Sequence, residues 1–315
     1  MDAAPLHDTI ARAPKGGRAY WLNAADGVRI RIAAWSQGAA GGQKGTVLLL
    51  TGRTEYVEKY GPAAAELAAR GYAMLAVDWR GQGLADRLLA DPAKGHVMRF
   101  SDYQLDLAAV IAAAEALELP RPFFLLGHSM GGAIGLRALF NGLDVRAAAF
   151  SAPMWGIRMP RQIRPVVAAL VRALANGPLG QAYAPSTSST AYVYNCAFST
   201  NKLTTDASMW AFMLGQLAHD PALSLAGPTV RWLSEALDEC ANLATLPALN
   251  LPCYTALGTR ERIIDTAPVH ARMAEWRGGH LDLISGAEHE VMMETSVSRT
   301  RFYDAATALF DAQLG

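Results

Sequence analysis

Short apolar runs separated by helical patterns occupy most of the chain. Residues 29–35 alternate between polar and apolar side chains, which is typical of a strand with one buried face. Runs that are continuously apolar suit strands buried on both faces of a parallel sheet. Six runs have this character, at residues 46–50, 73–78, 123–127, 147–151, 253–258 and 280–284. We therefore predict seven strands, most of them in a parallel arrangement.

Helix signals lie between several of these runs. Pro62 stands at a first helical position, and Gly71 marks the end of that helix. Ser101 and Gln104 form the pattern of a capping box before a further helix. Alternation of strands and helices predicts an α/β fold built on a mostly parallel, doubly wound sheet.

The alternation stops between residues 154 and 246, where charged residues are sparse. We predict that this stretch is a mostly helical insertion, which lies as a cap over the carboxyl edge of the sheet. The core then comprises residues 1–153 and 247–315.

Composition excludes several classes of protein. The 315 residues include 28 Lys and Arg against 28 Asp and Glu, and a nucleic-acid binder usually has a basic excess. Hydrophobic residues make up 51% of the chain, which excludes a disordered protein. No apolar run approaches the roughly 18 residues of a membrane helix, and the first 17 residues lack the apolar segment of a secretory signal. Three cysteines without a Cys-x-x-Cys pair indicate a reducing, cytoplasmic compartment.

The strongest chemical signal is Gly127-His128-Ser129-Met130-Gly131, which follows an apolar strand and precedes a helical run. This Gly-x-Ser-x-Gly pattern is typical of a tight strand-to-helix turn that exposes a nucleophilic serine. A serine hydroxyl needs a base to remove its proton, and the helix N-terminus favours a nearby oxyanion. We predict that Ser129 is a nucleophile, with His128 as a packing neighbour.

On this type of sheet the acid and then the histidine follow the serine along the chain. His289 comes after the last predicted strand and is the expected base, whereas His270 falls in a helix and His280 begins a strand. Two carboxylates follow residues 253–258. We favour Glu261 as the acid, because Asp265 lies directly before a helix and is suited to capping it.

Two backbone N–H groups must hold an oxyanion. Met130 follows the nucleophile and supplies one of them. The loop after residues 46–50 contains Thr51-Gly52-Arg53, and the N–H of Arg53 is our candidate for the second.

These segments together resemble the α/β-hydrolase family, in its monoacylglycerol lipase and lysophospholipase branch of the bacterial lysophospholipase L2 type. The similarity includes the Ser129 turn and the segments 51–55, 59–60, 78–83, 201–204, 227–232 and 286–290. Many relatives have His-Gly where this chain has Thr51-Gly52, and their acid is commonly Asp rather than Glu261. The resemblance implies a serine esterase of lipid-like substrates, a lysophospholipid or a monoacylglycerol, with a mobile cap over the acyl pocket.

Other functions remain open at this point. The same fold supports peptidases, thioesterases and acyltransferases, and it also supports receptors that bind a ligand without chemistry. The intact Ser, Glu and His set argues against a receptor. We expect no cofactor and no metal.

The predicted cap contains two groups of interest. Trp155, Trp210 and Trp232 are candidates to line an acyl channel, although they suit an ordinary core equally well. Arg161, Arg164 and Arg172 share one face of a helix that could touch anionic lipid headgroups during a transient membrane contact. A solvated stripe on a packed helix is the alternative.

Overall fold

The fold was analysed in a computed structural model that describes residues 1–36, 43–160 and 162–315. Nine strands form one sheet within these ranges: β1 Asp2–Ala4, β2 Arg18–Asn23, β3 Arg29–Trp35, β4 Thr46–Leu50, β5 Ala73–Asp78, β6 Phe123–His128, β7 Ala148–Ser151, β8 Cys253–Gly258 and β9 Gly279–Ile284. The helices are α1 Asp8–Ala11, α2 Gly61–Ala69, α3 Asp102–Ala116, α4 Met130–Phe140, α5 Arg164–Ala175, α6 Ala207–His219, α7 Val230–Thr245, α8 Ala267–Glu275 and α9 Ser296–Asp311. All seven predicted strands are present.

The strand order is β1-β2-β3-β5-β4-β6-β7-β8-β9. Strands β5, β4, β6, β7, β8 and β9 run parallel, while β1, β2 and β3 pair antiparallel at one side. The carboxyl ends of the parallel strands therefore meet at one edge. The loops that follow β4, β6, β8 and β9 all begin at this edge, which brings distant parts of the chain together.

Helices cover both faces of the sheet, and the sheet separates two hydrophobic cores. Along β4, Leu48 and Leu50 pack in the core shared with α3, α4 and α8, whereas Val47 and Leu49 pack in the core shared with α2 and α9. Alternate side chains of a strand point to opposite faces, so a strand covered on both sides is apolar at every position. This explains why the central runs show no polar alternation.

Three features differ from the sequence prediction. The antiparallel strands β1 and β2 were not predicted, because their short mixed sequences carry no clear period. Strand β3 was predicted to have one exposed face, but every residue after Arg29 is buried. The capping box is also wrong: Ser101 is helical and its side chain caps nothing, while the Gln104 amide donates to the Ile134 carbonyl.

The segment between β7 and β8 contains α5, α6, α7 and four short 3₁₀ turns, at Pro178–Gln181, Tyr192–Tyr194, Phe198–Thr200 and Pro221–Leu223. Helix α7 packs on the core through Trp232 and Cys240, whereas α5 buries only Val171 and Ala175. No helix in the described ranges combines the length and the apolar composition needed to cross a bilayer.

Candidate active site

Ser129 occupies the turn between β6 and α4 in a strained backbone conformation. Its φ is 49° and its ψ is −117°, a region that side-chain-bearing residues rarely adopt. The tight turn requires glycine at position 131, because a Cβ there would lie 2.0 Å from the carbonyl oxygen of Leu50. The Ser129 N–H donates to the Ser151 carbonyl at 3.1 Å, which ties the turn to β7. The side chain of Ser129 is partly exposed and faces a cavity.

The loops after β8 and β9 bring Glu261 and His289 to this serine. His289 Nε2 lies 3.0 Å from Ser129 Oγ, and His289 Nδ1 lies 2.6 Å from Glu261 Oε2. The other carboxylate oxygen of Glu261 accepts the N–H groups of Ile263 and Ile264, at 2.6 and 3.1 Å. Because the carboxylate accepts at Nδ1, the neutral imidazole has its proton there and Nε2 accepts from the Ser129 hydroxyl.

Asp265, the other carboxylate of this loop, lies elsewhere. Its side chain accepts the N–H of Ala267 at the start of α8 and pairs with Arg164 of α5 at 2.9 Å. This is the capping position that the sequence indicated. His270 lies within α8, and His280 is an exposed residue of β9 that stacks on Tyr254. Of the candidates, His289 contacts Ser129 and Glu261 contacts His289.

Burial and charge act in opposite directions on the pKa of both partners. Burial alone would raise the pKa of Glu261, but the adjacent His289 and three hydrogen bonds lower it below its usual value. Burial alone would lower the pKa of His289, but Glu261 raises it above the ordinary histidine value. Burial lowers the pKa of His128 to about 4, so this neighbour stays neutral and hydrogen-bonds to the Ser151 carbonyl at 2.9 Å.

The loop after β4 holds the second predicted oxyanion donor, Arg53. The Gln82 amide donates to the carbonyls of Gly52 and Glu55, at 2.7 and 3.1 Å, and the Trp79 indole donates to the carbonyl of Thr51 at 2.9 Å. Residues 78–83 therefore hold this loop in place. Within the described residues, the N–H groups of Arg53 and Met130 have no backbone or side-chain acceptor. Both are thus available to a ligand.

A second charged cluster lies beside the histidine and was not predicted. The Lys59 ammonium bridges Glu55 at 2.8 Å and Glu290 at 2.6 Å, and all three side chains are buried. The second oxygen of Glu290 has no hydrogen-bond partner in the part of the chain that the structure describes. Glu55, Glu290 and His128 could together approach a metal ion, but the Lys59 ammonium already pairs with both carboxylates. The family resemblance noted above includes the segments that contain Glu55, Lys59 and Glu290, but it assigned these side chains no role.

A cavity of about 660 Å³ opens above Ser129 and His289. Apolar residues of the segment between β7 and β8 form most of its wall, among them Met154, Ile157, Val167, Met213, Leu217 and Leu233. Of the three candidate tryptophans, Trp232 lines this cavity. Trp155 instead lies in the sheet core, where it stacks on Trp276 and donates to the Gly132 carbonyl, and Trp210 is buried beside Phe198.

The arginines of α5 are engaged by acidic residues. Arg164 pairs with Asp265 and Arg172 pairs with Asp238 of α7. Arg161 lies outside the described residues. Two of the three arginines considered for anionic headgroups therefore have partners within the protein, which favours the alternative that they form a solvated stripe.

Two bacterial proteins are similar to this chain in sequence over most of their length. The lysophospholipase L2 of Escherichia coli (strain K12) is 34% identical over 283 residues, which cover 84% of this chain and 80% of that protein. The probable lysophospholipase L2 of Haemophilus influenzae is 30% identical over 250 residues, or 79% of this chain and 78% of that protein.

Solved structures share the fold at lower identity. A monoglyceride lipase from Saccharomyces cerevisiae superposes with a TM-score of 0.72 at 21% identity, covering 93% of this chain and 94% of that one. A carboxyl esterase from Bacillus coagulans gives a TM-score of 0.73 at 14% identity, covering 96% and 100%. These similarities confirm the α/β-hydrolase fold.

A family model described as serine aminopeptidase S33 matches residues 41–296. With the relatives above, this match identifies the chain as a member of the Hydrolase_4 family, serine aminopeptidase S33, within the α/β-hydrolases.

Proposed function

We propose that the chain is a serine hydrolase that cleaves the carboxylic ester of monoacyl lipids, with a lysophospholipid as the leading substrate. The observation that supports it is the relay from Ser129 to His289 to Glu261, with bonds of 3.0 and 2.6 Å, at the base of an apolar cavity. The names of the relatives point in the same direction.

In the proposed mechanism Ser129 Oγ attacks the ester carbonyl while His289 Nε2 takes the hydroxyl proton. The N–H groups of Arg53 and Met130 hold the oxyanion, and the N-terminus of α4 adds a partial positive charge. The proton on Nε2 then passes to the oxygen of the leaving alcohol. A water molecule, activated by the same nitrogen, hydrolyses the acyl-enzyme and restores Ser129.

Throughout this cycle Glu261 stays ionised. It holds the imidazole with its proton on Nδ1 and stabilises the imidazolium that forms after each transfer. The lowered pKa of Glu261 and the raised pKa of His289 support this division of roles. No step requires a cofactor.

The character of the cavity favours an ester with an acyl chain over a peptide. An aminopeptidase needs a free carboxylate to bind the substrate's amino group. Among the described residues, the acidic side chains that line the cavity are Glu55 and Glu290, and both are already paired with Lys59. The apolar wall instead suits a hydrocarbon chain.

The test is active-site labelling with a fluorophosphonate, followed by peptide mapping and assays on lysophosphatidylcholine and a monoacylglycerol. We expect one adduct on Ser129, absent from Ser129→Ala and His289→Ala. Ser285→Ala, which removes an exposed serine outside the site, should label and hydrolyse as the native protein does. Full hydrolysis by Ser129→Ala would refute the mechanism, and ligand binding without turnover by the native protein would indicate a receptor.

We also propose that residues 154–246 act as a cap that contacts lipid surfaces through α5. Ile163, Val166 and Leu170 are 49%, 69% and 50% exposed, and Ile163 also lines the cavity, so the apolar stripe is continuous with its rim. Val166→Asp should lower the rate on vesicle-bound substrate more than the rate on a soluble short-chain ester. The control is Val297→Asp on α9, which changes a valine that is 79% exposed. Equal effects of the two substitutions would contradict the role of α5.

A further inference from the structure

The side chain of Arg53 points into the cavity with most of its hydrogen-bonding capacity unused. Its Nη1 donates to the Ala226 carbonyl at 2.9 Å, and its guanidinium carbon lies 5.5 Å from the centre of the Trp232 ring. A guanidinium has five N–H donors. Within the described residues, the Ala226 carbonyl is the one protein acceptor that Arg53 contacts, and no carboxylate lies within 4.0 Å of it.

Four other inward-facing arginines of this protein have more hydrogen-bond partners than Arg53. Arg31 and Arg80 each contact two or more carboxylates. Arg87 and Arg272 pair with no carboxylate among the described residues but donate to at least three carbonyls each. A guanidinium out of bulk water without such partners is costly, so its retention in a ligand cavity indicates a partner that arrives with the ligand.

The surrounding charge selects an anion. Burial lowers the pKa of Arg53 to about 10, which still leaves the side chain positively charged at neutral pH. Two further cations, Arg158 and Lys202, line the same cavity, whereas Arg262 is paired with Glu288 at 2.7 Å. Two acidic residues of its wall, Glu55 and Glu290, share the Lys59 ammonium, and neither lies within 4.0 Å of the Arg53 side chain.

We infer that the Arg53 side chain binds the phosphate of the substrate headgroup, which makes this residue a determinant of specificity for lysophospholipids over monoacylglycerols. The inference rests on the proposed function and refines it. The backbone N–H of Arg53 is the proposed oxyanion donor, so its side chain begins beside the ester carbonyl. In a lysophospholipid the glycerol backbone separates that carbonyl from the phosphate. A planar guanidinium binds phosphate oxygens through paired N–H bonds.

The experiment compares kcat/KM for two soluble substrates with the same short acyl chain, a lysophosphatidylcholine and a monoacylglycerol. Arg53→Met should lower the ratio of the first to the second by about 10- to 100-fold, the effect of losing one charge-assisted contact. Arg53→Lys keeps the charge without the planar fork and should give an intermediate ratio. The control is Arg231→Met, which removes a cation of α7 that bonds to Asn176 outside the cavity and should leave the ratio unchanged.

Fluorophosphonate labelling of Ser129 in each variant confirms that the site is folded. An unchanged ratio in a labelled Arg53→Met protein would overturn the inference while leaving the ester hydrolase intact. No hydrolysis of either ester by the native protein would overturn the proposed function itself. Inhibition by inorganic phosphate that depends on Arg53, with no change in the substrate ratio, would assign the arginine to a free anion and also refute the headgroup role.

Discussion

Glu261→Gln replaces one oxygen of the carboxylate with an amide nitrogen and tests whether this residue is the acid of the triad. The surrounding backbone fixes the orientation of the new glutamine side chain. The N–H groups of Ile263 and Ile264 bond to one oxygen at 2.6 and 3.1 Å, so they will hold the amide oxygen of glutamine in that place. The amide NH₂ must then face His289 Nδ1, where the native carboxylate accepts at 2.6 Å.

The expected loss of kcat follows from this orientation of the glutamine amide. An NH₂ group donates, so Nδ1 has to accept and the imidazole proton moves to Nε2. Nε2 can then no longer accept the hydrogen of Ser129, 3.0 Å away. The same change of tautomer in a serine protease lowers kcat by about 10⁴. We expect a similar loss here, equivalent to about 5 kcal/mol of transition-state stabilisation.

The assay is stopped-flow hydrolysis of a short-chain p-nitrophenyl ester, which separates acylation from deacylation. Glu261→Gln should slow both steps, because His289 acts in each. Asp265→Asn is the matched control, since it makes the same substitution in the same loop. It weakens a partly exposed pair with Arg164, worth at most about 1 kcal/mol, and should change kcat by less than about fivefold. The reasoning fails if Glu261→Gln retains kcat within tenfold of native, or if Asp265→Asn loses more.

Two further outcomes follow from the structure. Since Glu261 raises the pKa of His289, and the imidazole must be neutral to accept a proton, kcat/KM should fall with decreasing pH at a midpoint above the usual 6.5. Glu261→Gln should move this midpoint to lower pH, and a native midpoint at or below 6.5 in a pH–rate profile would contradict the reasoning. Arg31→Met should lower the free energy of unfolding by about 3–5 kcal/mol, because it leaves Glu58 and Asp78 buried without their cation. Arg29→Met, which removes a half-exposed partner of Asp86, should cost less than about 1 kcal/mol in the same urea titration, and equal losses would disprove the role of burial.

The site residues that the sequence predicted are those set by local rules. Ser129 is marked by glycines that the turn requires, and His289 by its place after the last strand. The choice between Glu261 and Asp265 depends on which way a short loop folds. The contact of Asp265 with the start of α8 is indicated by its place before that helix, whereas its pairing with Arg164 joins two distant segments and has no local pattern.

Residues that act through distant partners could not be found this way. Lys59 and Glu290 are 231 positions apart, yet their side chains meet at 2.6 Å. Trp155 likewise stacks in the core on Trp276, which follows the insertion in the sequence. Periodicity predicts a strand or helix from neighbours in the chain, whereas these contacts arise only after the sheet has assembled.

The conformation of Ser129 also bears on how this protein responds to selection. A backbone at φ 49° and ψ −117° suits glycine, and it costs a side-chain-bearing residue about 1–3 kcal/mol. Ser129→Gly would relieve that strain and remove the nucleophile in one step. A library screened for thermostability alone would therefore enrich inactive proteins at this position. The native sequence is kept below its attainable stability by the position of one hydroxyl group, so directed evolution of this fold requires turnover in every round.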